Sequence, residues 1–178
     1  MRVYLAGPDV FLPDPLARGA ELKRICALHG FVGVFPLDPL AGGDRPEWVD
    51  LPQAHQIARR NEAHIRSCDL LIANLTPFRG PSADVGTVFE LGFMRALGRP
   101  VFGWSNSTVL FAERTRQFLG AGGDSLMVED FGMADNLMIE GAILGSGGGL
   151  VTCNPVSVWT DLVAFEMVLG KAQEALLF

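Results

Sequence analysis

Short, wholly apolar runs alternate along the chain with longer stretches in which apolar residues recur every three or four positions. Val3 to Ala6, Phe31 to Phe35, Leu70 to Leu75 and Val101 to Trp104 are of the first kind and predict four β-strands. Asp14 to Leu28, Gln53 to Ser67 and Val85 to Leu97 are of the second and predict helices. In the first helix Leu16, Ala20, Leu22, Ile25 and Cys26 share helical spacing, and Gly30 and Gly98 stop the first and third helices. Beyond Ser105 the pattern predicts a fifth strand at Leu126 to Glu129 and a terminal helix from Val158 to Leu177. The glycine-rich segments Gly120 to Gly123 and Gly145 to Gly149 read as loops. Apolar strands alternating with helices indicate a parallel sheet covered on both faces. The expectation is one doubly wound α/β domain over residues 1–178.

In such folds ligands bind outside the carboxyl ends of the strands, where the strand order reverses. That selects Gly7 to Pro13, Pro36 to Trp48 and Thr76 to Val85 as site-forming loops. The connection from Leu37 to Pro52, with Gly42, Gly43 and three prolines, is long enough to be functional or mobile.

Composition narrows the chemistry. Apolar residues make up 49% of the chain and charged ones 19%, which excludes a disordered protein. The net charge of −6 and the lack of Lys/Arg clusters argue against nucleic acid as a partner. No apolar run approaches a membrane span, and the chain enters a strand directly after Met1 and Arg2, so neither anchor nor signal peptide is expected. Cys26, Cys68 and Cys153 are too scattered for a disulfide framework or a zinc site, and a cytoplasmic location is the expectation. The surplus of apolar residues hints at subunit interfaces.

Glu90 is the most informative residue. It is the one carboxylate in the helix stretch from Val85 to Met94, and its neighbours one turn away are Gly86, Thr87, Phe93 and Met94. A buried carboxylate must be neutralised, paired or used, so it either pairs with a distant Arg59 or Arg60 or faces a ligand. Gly86 and Thr87 are small and leave room for that ligand. Asp84 is a natural N-cap for the same helix and also falls in a site loop. Tyr4 is the only tyrosine against twelve phenylalanines, so its hydroxyl suggests a hydrogen bond that matters. The loop after the first strand lacks G-x-G-x-x-G, and Pro8 and Pro13 obstruct a helix there, which disfavours NAD and ATP. His55 and His64 miss the spacing of a zinc pair, and there is no G-x-S-x-G elbow. A lone carboxylate facing a cleft suits displacement at an electrophilic carbon with a cationic transition state.

The run from Tyr4 to Pro8, followed by the continuous stretch from Cys68 to Gly92, resembles the nucleoside 2-deoxyribosyltransferase family. The resemblance implies a flavodoxin-like fold and a cofactor-free transfer of 2-deoxyribose between nucleobases through a covalent enzyme intermediate. It makes Glu90 the nucleophile on C1′, Tyr4 the residue that orients it, and Asp84 the group that binds the sugar 5′-hydroxyl. It adds Gly7, Ser82 and Gly86 to the substrate-binding set, with Phe11 stacking on the base. A neighbouring subunit completes such sites, and Asn136 and Met138 match the segment that does so, which implies a homo-oligomer. The partners implied are 2′-deoxynucleosides and free nucleobases, in purine salvage.

The chain departs from the family pattern at Asn61, where better-known bacterial members carry an aspartate that contacts the base. An amide supplies no proton at neutral pH. A lid over residues 36–52 is expected to exclude water. Two rival functions accompany this reading. One is the related hydrolysis of 2′-deoxynucleoside 5′-phosphates, whose enzymes carry serine at the place of Asp84. The other is a non-catalytic nucleoside sensor.

Overall fold

The computed structural model describes residues 1–43 and 45–177. Among them run five strands: β1 (Arg2–Ala6), β2 (Val32–Val34), β3 (Leu70–Asn74), β4 (Val101–Ser105) and β5 (Leu150–Thr152). The helices are α1 (Pro15–Leu28), α2 (Gln53–Ser67), α3 (Val85–Ala96), α4 (Phe111–Leu119), α5 (Leu137–Gly145) and α6 (Val163–Leu177). Short 3₁₀ turns at Pro8–Phe11 and Pro46–Trp48 lie in the connections after β1 and β2.

Every strand pair is parallel, and the order across the sheet is β2-β1-β3-β4-β5. This is a flavodoxin-like α/β fold, in which the chain winds to one edge and then returns past β1 to build the other side. The winding reverses between β1 and β3, so a crevice opens beyond their carboxyl ends.

Side-chain alternation along the strands builds two cores. Val3, Leu5, Leu70 and Ile72 face α1 and α6, whose Ile25, Cys26, Phe165 and Val168 are buried against them. Tyr4, Ala6, Leu71 and Ala73 face the other side, covered by Ile65 of α2, Leu91 and Met94 of α3, and Ile139 and Ile143 of α5. Tyr4 therefore points to the same face as α2 and α3, although it sits in the central strand β1. Local signals start the helices: Asp14 caps α1 by accepting from the Ala17 amide at 3.0 Å, with Pro15 at the first helical position.

The first hundred residues follow the sequence expectation closely, except that Leu16 and Ala20 of α1 are exposed to solvent while Leu22, Ile25 and Cys26 are buried. The second half does not. Residues 126–129 form no strand; Leu126 and Met127 are exposed and no sheet partner lies beside them. The fifth strand is Leu150–Thr152, paired with Gly103, Trp104 and Ser105 at the sheet edge. Three residues directly after a glycine run carry too short an apolar pattern to stand out. The helices α4 and α5 were not foreseen, and α6 begins at Val163 rather than Val158, where Asp161 accepts from the Val163 amide at 2.9 Å.

Candidate active site

Glu90 lies on α3 above the reversal point, half-buried. Tyr4, fully buried in β1, donates its hydroxyl to Glu90 Oε1 at 2.7 Å. Asn61 of α2 donates its amide Nδ2 to the same oxygen at 3.2 Å. Both donors are neutral. Arg59, a candidate partner on sequence grounds, pairs instead with Glu62 at 3.5 Å. Burial pushes the Glu90 carboxyl up to about 7, against the two hydrogen bonds; the nearby Asp84 charge adds to the rise. The Tyr4 hydroxyl is held well above its ordinary range, by burial first and by the Glu90 charge second, so it remains a donor.

Glu90 and Asn61 line a cavity of about 310 Å³, together with Gly7, Val10 and Phe11 after β1, Pro36 and Leu37 after β2, Ile57 on α2, and Asp84, Gly86 and Thr87. Three strand-end loops and the starts of two helix faces thus meet at one place. Its size is at the lower end for small-molecule sites, and its walls are mostly apolar with few polar groups, as such sites usually are. Asp84 does cap α3: its Oδ2 accepts from the Thr87 amide at 2.9 Å and the Thr87 hydroxyl at 3.1 Å. Among the described residues its Oδ1 has no partner, which leaves that oxygen for a ligand hydroxyl. Gly86 keeps the wall thin, since a Cβ there would lie 3.1 Å from Asp84 Oδ2.

Phe11 borders the cavity but already stacks on Phe78, with centroids 5.3 Å apart and planes at 12°. Arg79, in a left-handed conformation at φ 55°, lays its guanidinium over both rings. Gly7 is needed for close approach: a Cβ would fall 2.7 Å from Asn74 Cβ and 2.8 Å from Asp9 Oδ2.

Three expected site residues are not beside Glu90 within the chain. Ser82, Asn136 and Met138 instead line an apolar groove of about 630 Å³ between α3 and α5. Ser82 donates to Asp135 Oδ1. Asn136 caps α5 by accepting from the Met138 amide at 3.0 Å and donates to Glu129 at 2.8 Å. The α3 flank beside this groove is unusually apolar for a surface, with Val85 84% and Phe89 63% exposed. The presumed lid also divides. Among the described residues of 36–52, Pro36 and Leu37 reach the Glu90 cavity, while Arg45, Pro46 and Trp48 sit over the outer side of α2.

Other polar groups build the site from beneath and were missed in the sequence. Asp9 pairs with Arg18 at 2.7 Å and accepts from Asn74 Nδ2 at 2.8 Å, which pins the β1 loop to the end of β3. Asp135, paired with Arg114 at 3.3 Å, also accepts from the Ala83 amide and so holds the residue before Asp84. A buried aspartate at a strand end followed nine residues later by an arginine on a helix was the available signal for the first pair. His64 is buried and bonded to the Asp38 carbonyl at 3.0 Å, away from the cavity. Among the described residues no three His, Cys, Asp or Glu side chains converge as metal ligands. No described helix is long and apolar enough to cross a membrane.

The described residues thus place a tyrosine-held carboxylate at the reversal point of a flavodoxin-like parallel sheet. The model of the nucleoside 2-deoxyribosyltransferase family matches residues 3–138, and the chain belongs to that family of glycosyl-transferring enzymes. It is 34% identical over 166 residues to an uncharacterized protein of Schizosaccharomyces pombe, covering 82% of this chain and 78% of that one. Among solved structures it is similar to a 2-desoxiribosyltransferase from Leishmania mexicana, with TM-score 0.65, 29% identity, and 95% and 97% of the two chains covered. A conserved protein from Enterococcus faecalis shares the fold, with TM-score 0.60, 23% identity and 99% of each chain covered.

Proposed function

We propose that the protein transfers 2-deoxyribose between nucleobases of 2′-deoxynucleosides, with Glu90 as the covalent nucleophile. The observation that supports this most is the Glu90 carboxylate held by Tyr4 at 2.7 Å on the wall of a cavity of about 310 Å³. Glu90 attacks C1′, the C1′–N bond breaks, and its electron pair leaves with the base, which is protonated from solvent. An incoming base then attacks C1′ from the vacated face, gives up its N–H proton to solvent and returns the C1′–O pair to Glu90. Two inversions give net retention. The missing 2′-hydroxyl matters because an electron-withdrawing oxygen there would destabilise the oxocarbenium-like transition state. A carboxyl titrating at about 7 is partly ionised at neutral pH and, being poorly solvated, is a reactive nucleophile rather than an inert ion pair.

Asp84 supports an unphosphorylated substrate. Its free Oδ1 suits a 5′-hydroxyl, whereas a phosphate charge about 4 Å away would be repelled by roughly 4 kcal/mol per unit charge at an effective dielectric of 20. Asn136 and Met138 serve the site of a second copy in this reading, with the exposed α3 flank and the α3–α5 groove as the docking face. Asn136 must then release Glu129 as the copies join.

The test is chromatography of purified protein given deoxyinosine and adenine, with wild type and Glu90→Ala side by side. Deoxyadenosine formed by wild type, and reduced at least about a thousandfold in the variant, is the expected result. Free hypoxanthine without deoxyadenosine would assign hydrolysis instead, and inertness of both would assign a sensor.

A further inference from the structure

We propose that Asn61 is a positioning residue for Glu90: with Tyr4 it fixes Oε1 and leaves Oε2 as the oxygen that attacks. This rests on the proposed role of Glu90 and assigns Asn61 to the nucleophile rather than to the base. Ile57, Asn61 and Ile65 recur every four residues on α2, so Asn61 shares the face that Ile65 buries in the core and Ile57 turns to the cavity. In the ionised form that attacks, the carboxylate only accepts, so the amide presents Nδ2 to Glu90. Oε1 then receives an O–H at 2.7 Å and an N–H at 3.2 Å, one for each lone pair. Oε2 has no partner among the described residues.

An amide at this place holds Glu90 without adding a charge. Glu90 is faced by one acid already, Asp84 at the start of its own helix, and by one neutral hydroxyl, Tyr4 of β1. Among the described residues, the other elements around the cavity contribute Asn61 and Ile57 of α2, Gly7, Val10 and Phe11 after β1, and Pro36 and Leu37 after β2, with no cation in that lining. An ionised aspartate at position 61 would add a third carboxylate to a cavity of about 310 Å³ and favour the protonated form of Glu90. The asparagine stabilises the ionised form by a hydrogen bond and adds no charge.

The experiment follows the Glu90 carboxyl directly. Carboxyl ¹³C resonances of glutamate-labelled, substrate-free protein are titrated for wild type, Asn61→Ala and Asn61→Asp, with Glu90→Gln identifying the Glu90 signal. The Glu90 midpoint should rise by about half a unit in Asn61→Ala and by a unit or more in Asn61→Asp. In the transfer assay kcat should fall about tenfold in Asn61→Ala with little change in KM for the base. The pH–rate limb should move up with the resonance. A Glu90 midpoint unchanged in both variants, with KM for the base raised and kcat preserved, overturns the proposal and makes Asn61 a base contact. The titration needs no substrate, so its result stands even if wild type transfers nothing, which would overturn only the proposed function.

Discussion

Two buried carboxylates lie on either side of Gly7, and the fold treats them in opposite ways. Asp9 is 3% exposed and meets a cation: Arg18 reaches one oxygen at 2.7 Å, and Asn74 donates to the other at 2.8 Å. Glu90 meets only a hydroxyl and an amide, both on one oxygen, and its titration is pushed up to about 7. The first arrangement ties β1 to β3 and spends the whole charge on structure. The second leaves a carboxylate oxygen unspent in a cavity, a condition the fold would gain nothing from unless that oxygen reacts. On the proposed reading, what separates the structural acid from the chemical one is the charge of its partners, since depth of burial alone would rank Asp9 first.

The sharpest way to break this comparison is to remove the cation. Arg18→Met leaves Asp9 buried without a counter-charge, and stability should fall by about 3–5 kcal/mol, read from the midpoint of urea unfolding at pH 7. The Glu90 cavity should suffer through Gly7, which touches Asp9 and Asn74. A loss under about 1 kcal/mol would mean that Asp9 regains water on its own, and the pair would then not be what holds the loop.

The difference between the two acids was half legible in the sequence. Glu90 stood out because one carboxylate in the stretch from Val85 to Met94 has no cation a turn away, and Tyr4 because no other position keeps a phenol. The fold was legible where strands are wholly buried: β3 and β4 each run five buried residues. It faded where burial is partial. β5 is three residues at an edge, and its approach to β4 depends on Gly148, where a Cβ would strike the Val101 carbonyl at 1.8 Å. That contact joins residues 47 positions apart and leaves no local periodicity to read. Asp9 was passed over for the same reason, since Arg18 lies on the following helix and Asn74 comes from a strand that joins only in the sheet. The bond from Asn61 to Glu90 spans 29 residues and joins two helices, so no local pattern announces it.

The second prediction concerns the cost of leaving Glu90 without a cation. Its titration in the folded protein lies above the ordinary value of 4.5, so the folded state prefers the protonated form. That preference contributes stability below about pH 4.5 and is lost as pH rises through about 7. Glu90→Gln keeps the shape without the charge. It should be more stable than wild type at pH 8 by about 2 kcal/mol, reduced from the full linkage value because the group is only half-buried, and no more stable at pH 4. Thermal unfolding at the two pH values measures this. An equal gain at both would trace the effect to packing rather than charge.

The smallest expected effect isolates the Tyr4 hydroxyl. Tyr4→Phe keeps the buried ring and removes the donor that most lowers the Glu90 titration, so the alkaline-rising limb of the rate should move up by about one unit. Global stability should fall by only about 1 kcal/mol, since one hydrogen bond is lost and Asn61 still satisfies Oε1. The pH-independent rate above the limb separates two contributions of the hydroxyl. If it only adjusts ionisation, the variant regains wild-type kcat at pH 9; if it also holds the carboxylate, kcat stays about tenfold lower there. The single short bond at 2.7 Å to an oxygen already shared with Asn61 favours the second outcome, because that geometry restricts rotation of the carboxylate as well as stabilising its charge.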